Sequence, residues 1–499
     1  MSNTLNRNMS MIYSVLHIMG LLLIFEACFM GVCFFLSWGL YLFGDNPILA
    51  SNELKAMQSF IIPTLLTLGV GMGLYFPHRK KQIIVDKRSG YMVVASIWFF
   101  FSLFGALPFV LGGYTNSFTD AFFETASGFT TTGASIMTDV ENLPYSIGLW
   151  RIMTEWIGGI GIVVIMLSII PVVGGGGMTL YSAEVAGPTK NKLSPKIKET
   201  THILLAVYII LTIIYICCYF FAGMSLFDAV CYAFTTISTG GLAPHNDSAA
   251  SFSPLLQYLI ILFMAMSGTN LLFFYLIVKG KVKTIRKSEE FKTYIFITII
   301  ATILVFLWIY RYDNGVEYSF RTAMFQVVSI FTSTGLLNCN YMNWNMGAIT
   351  ILIMLMFSGA MSGSTTGGLK LVRVMLLFKS ARTNVKKSLH SNAFVPITID
   401  KKMVNDEVVY NVFEILMLYV LTYIVIFLVF IFQNVPLDEA VVSSISMCSN
   451  IGPAYGEAGT GCFASYTPLA KWTISIVMIV ARLEFITVFS IFTKAFWSR

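Results

Sequence analysis

The chain has 499 residues, 56% of them hydrophobic and only 11% charged, with a formal net charge of +7. Soluble domains carry about 25% charged residues, and no polar stretch here is long enough to form one. Composition therefore excludes a soluble enzyme and points to a polytopic membrane protein.

Ten apolar segments reach the roughly 20 residues a helix needs to cross a bilayer. Residues 1–90 hold two of them, near 12–43 and 58–77, and read as an N-terminal two-span hairpin. The first is long and lacks a small-residue cleavage pattern, unlike a secretory signal. Four repeats follow, over 91–185, 186–290, 291–402 and 403–499. Each joins an outward span (near 91–113, 202–222, 293–310 and 408–432) to an inward one (near 148–172, 254–278, 348–376 and 468–494). The fold class expected is all-α, an opening hairpin plus four membrane–pore-loop–membrane repeats around one central pore.

Between the two spans of each repeat lies a segment too short and too polar to cross, such as 120–132 and 228–239. These are predicted to be re-entrant half-helices, with Asp120, Asp228, Ser319 and Asp438 as N-caps. The C-terminal end of such a helix carries partial negative charge and favours a cation. Non-helical backbone beyond it is tolerated at membrane depth only where it lines a water-filled cavity. Four of these segments end alike: Phe129-Thr-Thr-Thr-Gly-Ala134, Ile237-Ser-Thr-Gly-Gly-Leu242, Phe331-Thr-Ser-Thr-Gly-Leu336 and Cys448-Ser-Asn-Ile-Gly-Pro453. Gly133, Gly240, Gly335 and Gly452 are read as the equivalent positions, 107, 95 and 117 residues apart. Four walls of stacked carbonyl oxygens can replace the water shell of a potassium ion.

Lys and Arg cluster at 79–88, 190–198, 279–292, 379–402 and the C-terminus, while the alternate loops carry Asp and Glu. The positive-inside rule places both termini and the basic loops in the cytoplasm and the four glycine-ended loops outside. Regular alternation with the spans argues against nucleic-acid binding, and the same charge suits anionic membrane lipid. The eight cysteines show no metal-ligand spacing. Cys339 and Cys462, on outer loops, are expected to be free thiols. No nucleotide-binding motif is present, and no HExxH, GxSxG or Asp-rich motif suggests an enzyme.

The sequences Leu149-Trp-Arg-Ile-Met-Thr-Glu-Trp-Ile-Gly-Gly-Ile-Gly161, Ala183-Glu-Val-Ala-Gly-Pro188, Met361-Ser-Gly-Ser-Thr-Thr-Gly-Gly-Leu-Lys370 and Ala481-Arg-Leu-Glu484 carry a resemblance. Together with the four loops, they make the chain similar to the Trk/Ktr/HKT potassium-transporter superfamily. The opening hairpin resembles its TrkH/TrkG type. The resemblance implies potassium uptake across the bacterial plasma (inner) membrane. It also implies one selectivity filter, with potassium ligands from Thr131, Thr132, Gly133, Ser238, Thr239, Gly240, Ser333, Thr334, Gly335, Asn450, Ile451 and Gly452. In relatives that admit sodium the first glycine can be serine, and its presence here favours potassium. The resemblance further implies a homodimer and a separate cytosolic TrkA-like nucleotide-binding ring protein as regulator. Potassium is the transported ion, and no nucleotide site is expected on this chain.

Residues 357–369 interrupt the third inward span. Gly359, Gly363, Gly367 and Gly368, with Ser364, Thr365 and Thr366 among them and Lys370 after them, weaken a helix. The resemblance implies a gating loop beneath the filter, although small residues also permit close helix packing. Arg482 lies within the apolar run 472–496, and a charge at that depth is costly and usually functional. It is expected to oppose cation flow near the pore or to pair with an acid such as Glu414. Glu484 lies on another helix face. Glu26, outside the repeats, reads as a packing or polar-network residue rather than a conduction site. An alternative function is a symporter coupling potassium to protons or sodium. Such proteins usually use inverted repeats and midplane carboxylates, whereas these repeats are parallel and such carboxylates are few.

Overall fold

The computed structural model describes residues 2–43, 47–78, 87–169, 197–310, 315–390, 395–483 and 485–497. It is a mainly helical membrane protein. Helices α1 (Ser2–Phe43) and α2 (Pro47–Tyr75) form the opening hairpin and pack along each other for most of their length. Close approach depends on Gly20 and Gly71, where a side chain would meet the backbone of the other helix. At 1.5 Å per residue the 42 residues of α1 span about 63 Å, so it projects well beyond a bilayer.

The first repeat comprises α3 (Lys87–Gly105) and α4 (Leu107–Gly112), the half-helix α5 (Phe118–Phe129) and the inward α6 (Tyr145–Ile169). The second comprises α7 (Ile197–Phe221), the half-helix α8 (Leu226–Ser238) and the pair α9 (Pro254–Ser267) and α10 (Leu272–Val278). After the short α11 (Val282–Lys287), the third has α12 (Glu289–Ile309), the half-helix α13 (Val316–Phe331), α14 (Met346–Met356) and α15 (Leu371–Leu389). A small hairpin of β1 (Thr398–Ile399) and β2 (Lys402–Met403) leads to the fourth: α16 (Asp406–Phe432), the half-helix α17 (Leu437–Ser449), α18 (Pro468–Arg482) and α19 (Phe485–Ile491).

Among the described residues, six of the ten expected spans are continuous helical segments with the length and apolarity to cross a membrane. Two inward spans are not straight: α9–α10 bends by 97° and α18–α19 by 109°. The third inward span is not continuous either, because residues 357–370 separate α14 from α15 without helical structure. The remaining inward span is α6, which runs to Ile169 where the described residues pause. The Ala183–Pro188 motif, residues 190–196 of the basic run and Glu484 lie outside the described residues.

The half-helices start earlier than expected. Ser117 caps α5, its hydroxyl accepting from the Asp120 N–H at 3.1 Å and donating to the Asp120 carboxylate at 2.8 Å. Ser225 and Asp228 repeat the arrangement on α8. The aspartates are therefore the third helical residues, bonded to the serine caps, rather than the caps. Gly315 and Pro436 occupy the cap positions of α13 and α17, so Ser319 and Asp438 lie inside those helices.

The repeats close into a ring. The inward helix of each repeat packs on the half-helix of the next: α6 on α8, α9 on α13, α14 on α17, and α18 back on α5. At that last junction Lys471 reaches Asp120 at 2.7 Å, with both side chains nearly buried.

Candidate functional site

Each half-helix ends in the same backbone turn. A residue with positive φ comes first (Thr131, 51°; Thr239, 56°; Ser333, 48°; Asn450, 51°), and two residues later comes a glycine with positive φ (Gly133, 78°; Gly241, 99°; Gly335, 79°; Gly452, 96°). The residue between them donates its N–H five residues back: Thr132 to Ser127, Gly240 to Thr235, Thr334 to Ser329 and Ile451 to Ser446, at 2.8–3.1 Å. Left-handed φ at threonine or serine is strained, and its recurrence in all four repeats shows that the turn is imposed by the surrounding packing.

This geometry corrects the register of the second repeat. Gly241, not Gly240, is the equivalent of Gly133, Gly335 and Gly452. Ser238 still belongs to α8, with its hydroxyl donating to the Phe234 carbonyl at 2.7 Å. Two adjacent glycines made the alignment ambiguous by one residue, and backbone conformation settles it. The four strands are Thr131–Gly133, Thr239–Gly241, Ser333–Gly335 and Asn450–Gly452.

The strands surround one axis. A Cβ added to Gly133 would fall well inside 3.0 Å of the Gly240 carbonyl oxygen. The same holds for Gly241 against Thr334, Gly335 against Ile451 and Gly452 against Thr132. The four carbonyls thus form one cyclic tier, each against the glycine of the preceding repeat. Asn450 donates to the Thr132 hydroxyl at 2.8 Å and to the Met478 carbonyl at 3.0 Å, tying the fourth strand to the first. Behind the first two strands, Arg151 bonds Glu124 at 2.5 Å, the Ser135 hydroxyl at 3.1 Å and the Ala243 carbonyl at 2.9 Å. The Gly158-Gly159 pair of α6 gains a reason here. Gly158 lies against the Phe129 carbonyl and Gly159 against Ser238, so two half-helix ends press on one helix.

On one side of the tier a cavity of about 210 Å³ is lined by Gly133, Gly241, Gly335, Leu337, His245 and Cys462 among others. His245 binds Asp228 at 3.1 Å and lies 3.7 Å from Glu141. The hydrogen bond to Asp228 raises its pKa above the ordinary histidine range, partial burial works against this, and Asp228, Asp247 and Glu141 add to the rise. A raised folded pKa stabilises fully below about pH 6.5, and that contribution is lost as pH climbs through the folded value. His245→Gln should therefore lower the melting temperature in detergent at pH 6 and have less effect at pH 9. An equal shift at both would show that the charged pair contributes nothing. Cys339 and Cys462 are not joined by a disulfide.

On the other side, residues 357–370 cross the ends of three half-helices. Thr365 donates to the Ile237 carbonyl at 3.0 Å and accepts from the Thr239 hydroxyl at 3.3 Å. Gly367 donates its N–H to the Ser333 hydroxyl at 2.7 Å, and its Cα lies against the Ser449 carbonyl and Asn450. Gly359 accommodates the Gly367 carbonyl, and its N–H reaches the Leu369 carbonyl at 2.7 Å, which pinches the loop at its base. Gly363 sits against Asn270 in the break between α9 and α10. Lys370 bonds the Thr366 carbonyl and lies 3.5 Å from that of Ser364. Ser362, Thr365 and Thr366 are buried.

Arg482 stands at the break that ends α18, not within a continuous span, and its Nη1 donates to the Thr365 carbonyl at 2.8 Å. Glu414 is exposed on α16. Glu26 is wholly buried on α1, near Gly105. Sequence reasoning missed Glu290 in the first turn of α12. Its carboxylate accepts the Ser362 N–H at 2.7 Å and hydroxyl at 2.8 Å, anchoring the loop from a third direction. The available signal was an acid placed just inside an apolar span.

Comparisons with known proteins agree with this architecture. The profile of the TrkH family, described as a cation transport protein, matches residues 56–498. The chain is 34% identical to the Trk system potassium uptake protein TrkH of Escherichia coli K12 over 448 residues, covering 89% of this chain and 92% of that one. It is 31% identical to the Trk system potassium uptake protein TrkG of the same organism, over 93% of this chain and 97% of the other. The crystal structure of the potassium transporter TrkH from Vibrio parahaemolyticus aligns with a TM-score of 0.86 at 29% identity, over 97% of this chain and 99% of that one. With a family profile across most of its length and full-length relatives above 30% identity, the chain belongs to the TrkH family of cation transport proteins.

Proposed function

We propose that the chain takes up potassium across the bacterial inner membrane through a channel-like pore, with both termini cytoplasmic. The carbonyl tier of Thr132, Gly240, Thr334 and Ile451 acts as the selectivity filter, flanked by Thr131, Thr239, Ser333, Asn450 and the four glycines of positive φ. Loop 357–370 is the gate. The observation that carries this reading is the closed cyclic tier, in which four carbonyls converge at the negatively polarised ends of four half-helices. Potassium shedding its water finds oxygen ligands there. The loop lies across the inner side of the tier, and its displacement would open the path. Arg482 holds the loop closed through Thr365 and adds positive charge below the tier. The names of the relatives, potassium uptake proteins and a potassium transporter, support the ion.

A homodimer controlled by a separate TrkA-like cytosolic ring protein is part of the same proposal. The basic face of α15, including Lys379, Lys386 and Lys387, offers a docking surface. Purified protein in proteoliposomes, with and without such a ring partner, should pass potassium and rubidium well ahead of sodium and lithium. Equal flux of all four would remove the filter. Potassium flux that vanishes when a proton or sodium gradient is collapsed would establish the symporter instead.

A further inference from the structure

Three positions of the carbonyl tier carry side chains, Thr132, Thr334 and Ile451, and the fourth is Gly240. Backbone conformation does not require glycine there, since Gly240 is absent from the residues of positive φ while its neighbour Gly241 is among them. The space where its side chain would stand is filled. A Cβ on Gly240 would fall well inside 3.0 Å of the Cδ and both oxygens of Glu155. Glu155 projects from α6 and is fully buried. One of its oxygens accepts the Leu242 N–H at 2.9 Å. One turn earlier on α6, Arg151 donates to the Ala243 carbonyl at 2.9 Å. Residues four apart share a helix face, so an acid and a base on α6 grip the two residues that directly follow the second strand, Leu242 and Ala243. Among the described contacts of the tier glycines, a carboxylate stands directly against the backbone only at Gly240.

We propose that Glu155 is a specificity-determining residue of the pore: its carboxylate takes the place of the side chain missing at Gly240, fixes the direction of the Gly240 carbonyl and sets an acidic group immediately behind the tier. The proposal rests on reading the tier as the filter. It makes two separable claims. As a hydrogen-bond acceptor and filler, Glu155 maintains the geometry that distinguishes potassium from sodium. As an acid whose charged form a cation in the tier favours, it in turn raises occupancy of the tier by cations. The two differ in readout, because a neutral isostere preserves the first and removes the second.

The test is cation flux in proteoliposomes, normalised to folded protein, for Glu155→Gln, Glu155→Ala, Gly240→Ala, the double variant Glu155→Ala/Gly240→Ala and the control Gly335→Ala. Glu155→Gln should raise the half-saturating potassium concentration about three-fold or more while keeping the potassium-to-sodium ratio within about two-fold of the parent. Glu155→Ala and Gly240→Ala should each lower that ratio by on the order of ten-fold, and the double variant should recover part of the loss, because alanine at 240 fits once the carboxylate is gone. If Gly335→Ala lowers the ratio while both Glu155 variants keep parental half-saturation and selectivity, Glu155 only fills space and the proposal is wrong. A double variant no better than Gly240→Ala alone would equally overturn the complementarity. Should Gly335→Ala itself leave selectivity intact, the reading of the tier as the filter fails first and takes this proposal with it. If Glu155→Ala does not assemble, the half-saturation of Glu155→Gln still decides.

Discussion

Replacing Gly335 by serine should lower discrimination of potassium from sodium by on the order of ten-fold. Gly335 has φ of 79° and its Cα presses on the Ile451 carbonyl. A side chain there must leave the left-handed region or push the carbonyl away, and strain of this kind costs about 1–3 kcal/mol. A difference of about 1.4 kcal/mol between two ions is a factor of ten. Gly133→Ser, Gly241→Ser and Gly452→Ser meet the same obstruction from Gly240, Thr334 and Thr132 and should behave alike. Relative flux of potassium, rubidium and sodium in proteoliposomes measures the effect. Parental selectivity in all four variants would remove the tier from the conduction path.

The second large effect concerns the loop. Deleting Gly363 to Gly368 removes the contacts of Thr365 and Gly367 with Ile237, Thr239 and Ser333. Basal potassium flux should rise about ten-fold or more, since several hydrogen bonds, each contributing about 1 kcal/mol, no longer hold the barrier in place. Dependence on a cytosolic partner should fall with it. A deletion that is folded, inserted and no faster than the parent would show that the barrier lies elsewhere. Arg482→Ala loses the bond to the Thr365 carbonyl and should raise flux in the same direction but less. Arg482→Lys keeps the charge without the planar fork and should stay nearer the parent. Normal flux per folded molecule in Arg482→Ala would leave the residue a purely structural role.

Much of this was legible in the sequence for a physical reason. Apolar runs must be long to cross a bilayer, so the hairpin and the outward spans announce themselves. The four short polar segments cannot cross, and their common endings single out the tier. What stayed hidden depended on three-dimensional closure. Gly240 and Gly241 are chemically identical neighbours, and only backbone dihedrals and the facing Thr334 carbonyl tell which one is the counterpart of Gly133. The bends after Ser267 and Arg482 fall at short polar interruptions, Ser267-Gly-Thr-Asn270 and Arg482-Leu-Glu484, too brief to divide an apolar run by length and composition. Sequence alone does not single out Ser117 and Ser225 as caps, because the aspartates three residues on are equally good formers of helix starts. Glu290 carries no motif at all, and its importance appears only once Ser362 is folded back against it.

The ring is joined by its two ends. Asn450 holds Thr132 across 318 residues of chain, and Lys471 holds Asp120 across 351. A ribosome adding about 5–20 residues per second supplies these partners roughly 15–70 s after the residues they meet. For that interval Asp120 and Thr132 have only their local partners, Ser117 and Thr130, and no complete tier can exist. Biogenesis of this protein is thus a problem of holding an unfinished polar wall in lipid until the last segment arrives, and truncation anywhere before Asn450 removes both closing ties, not only one wall in four.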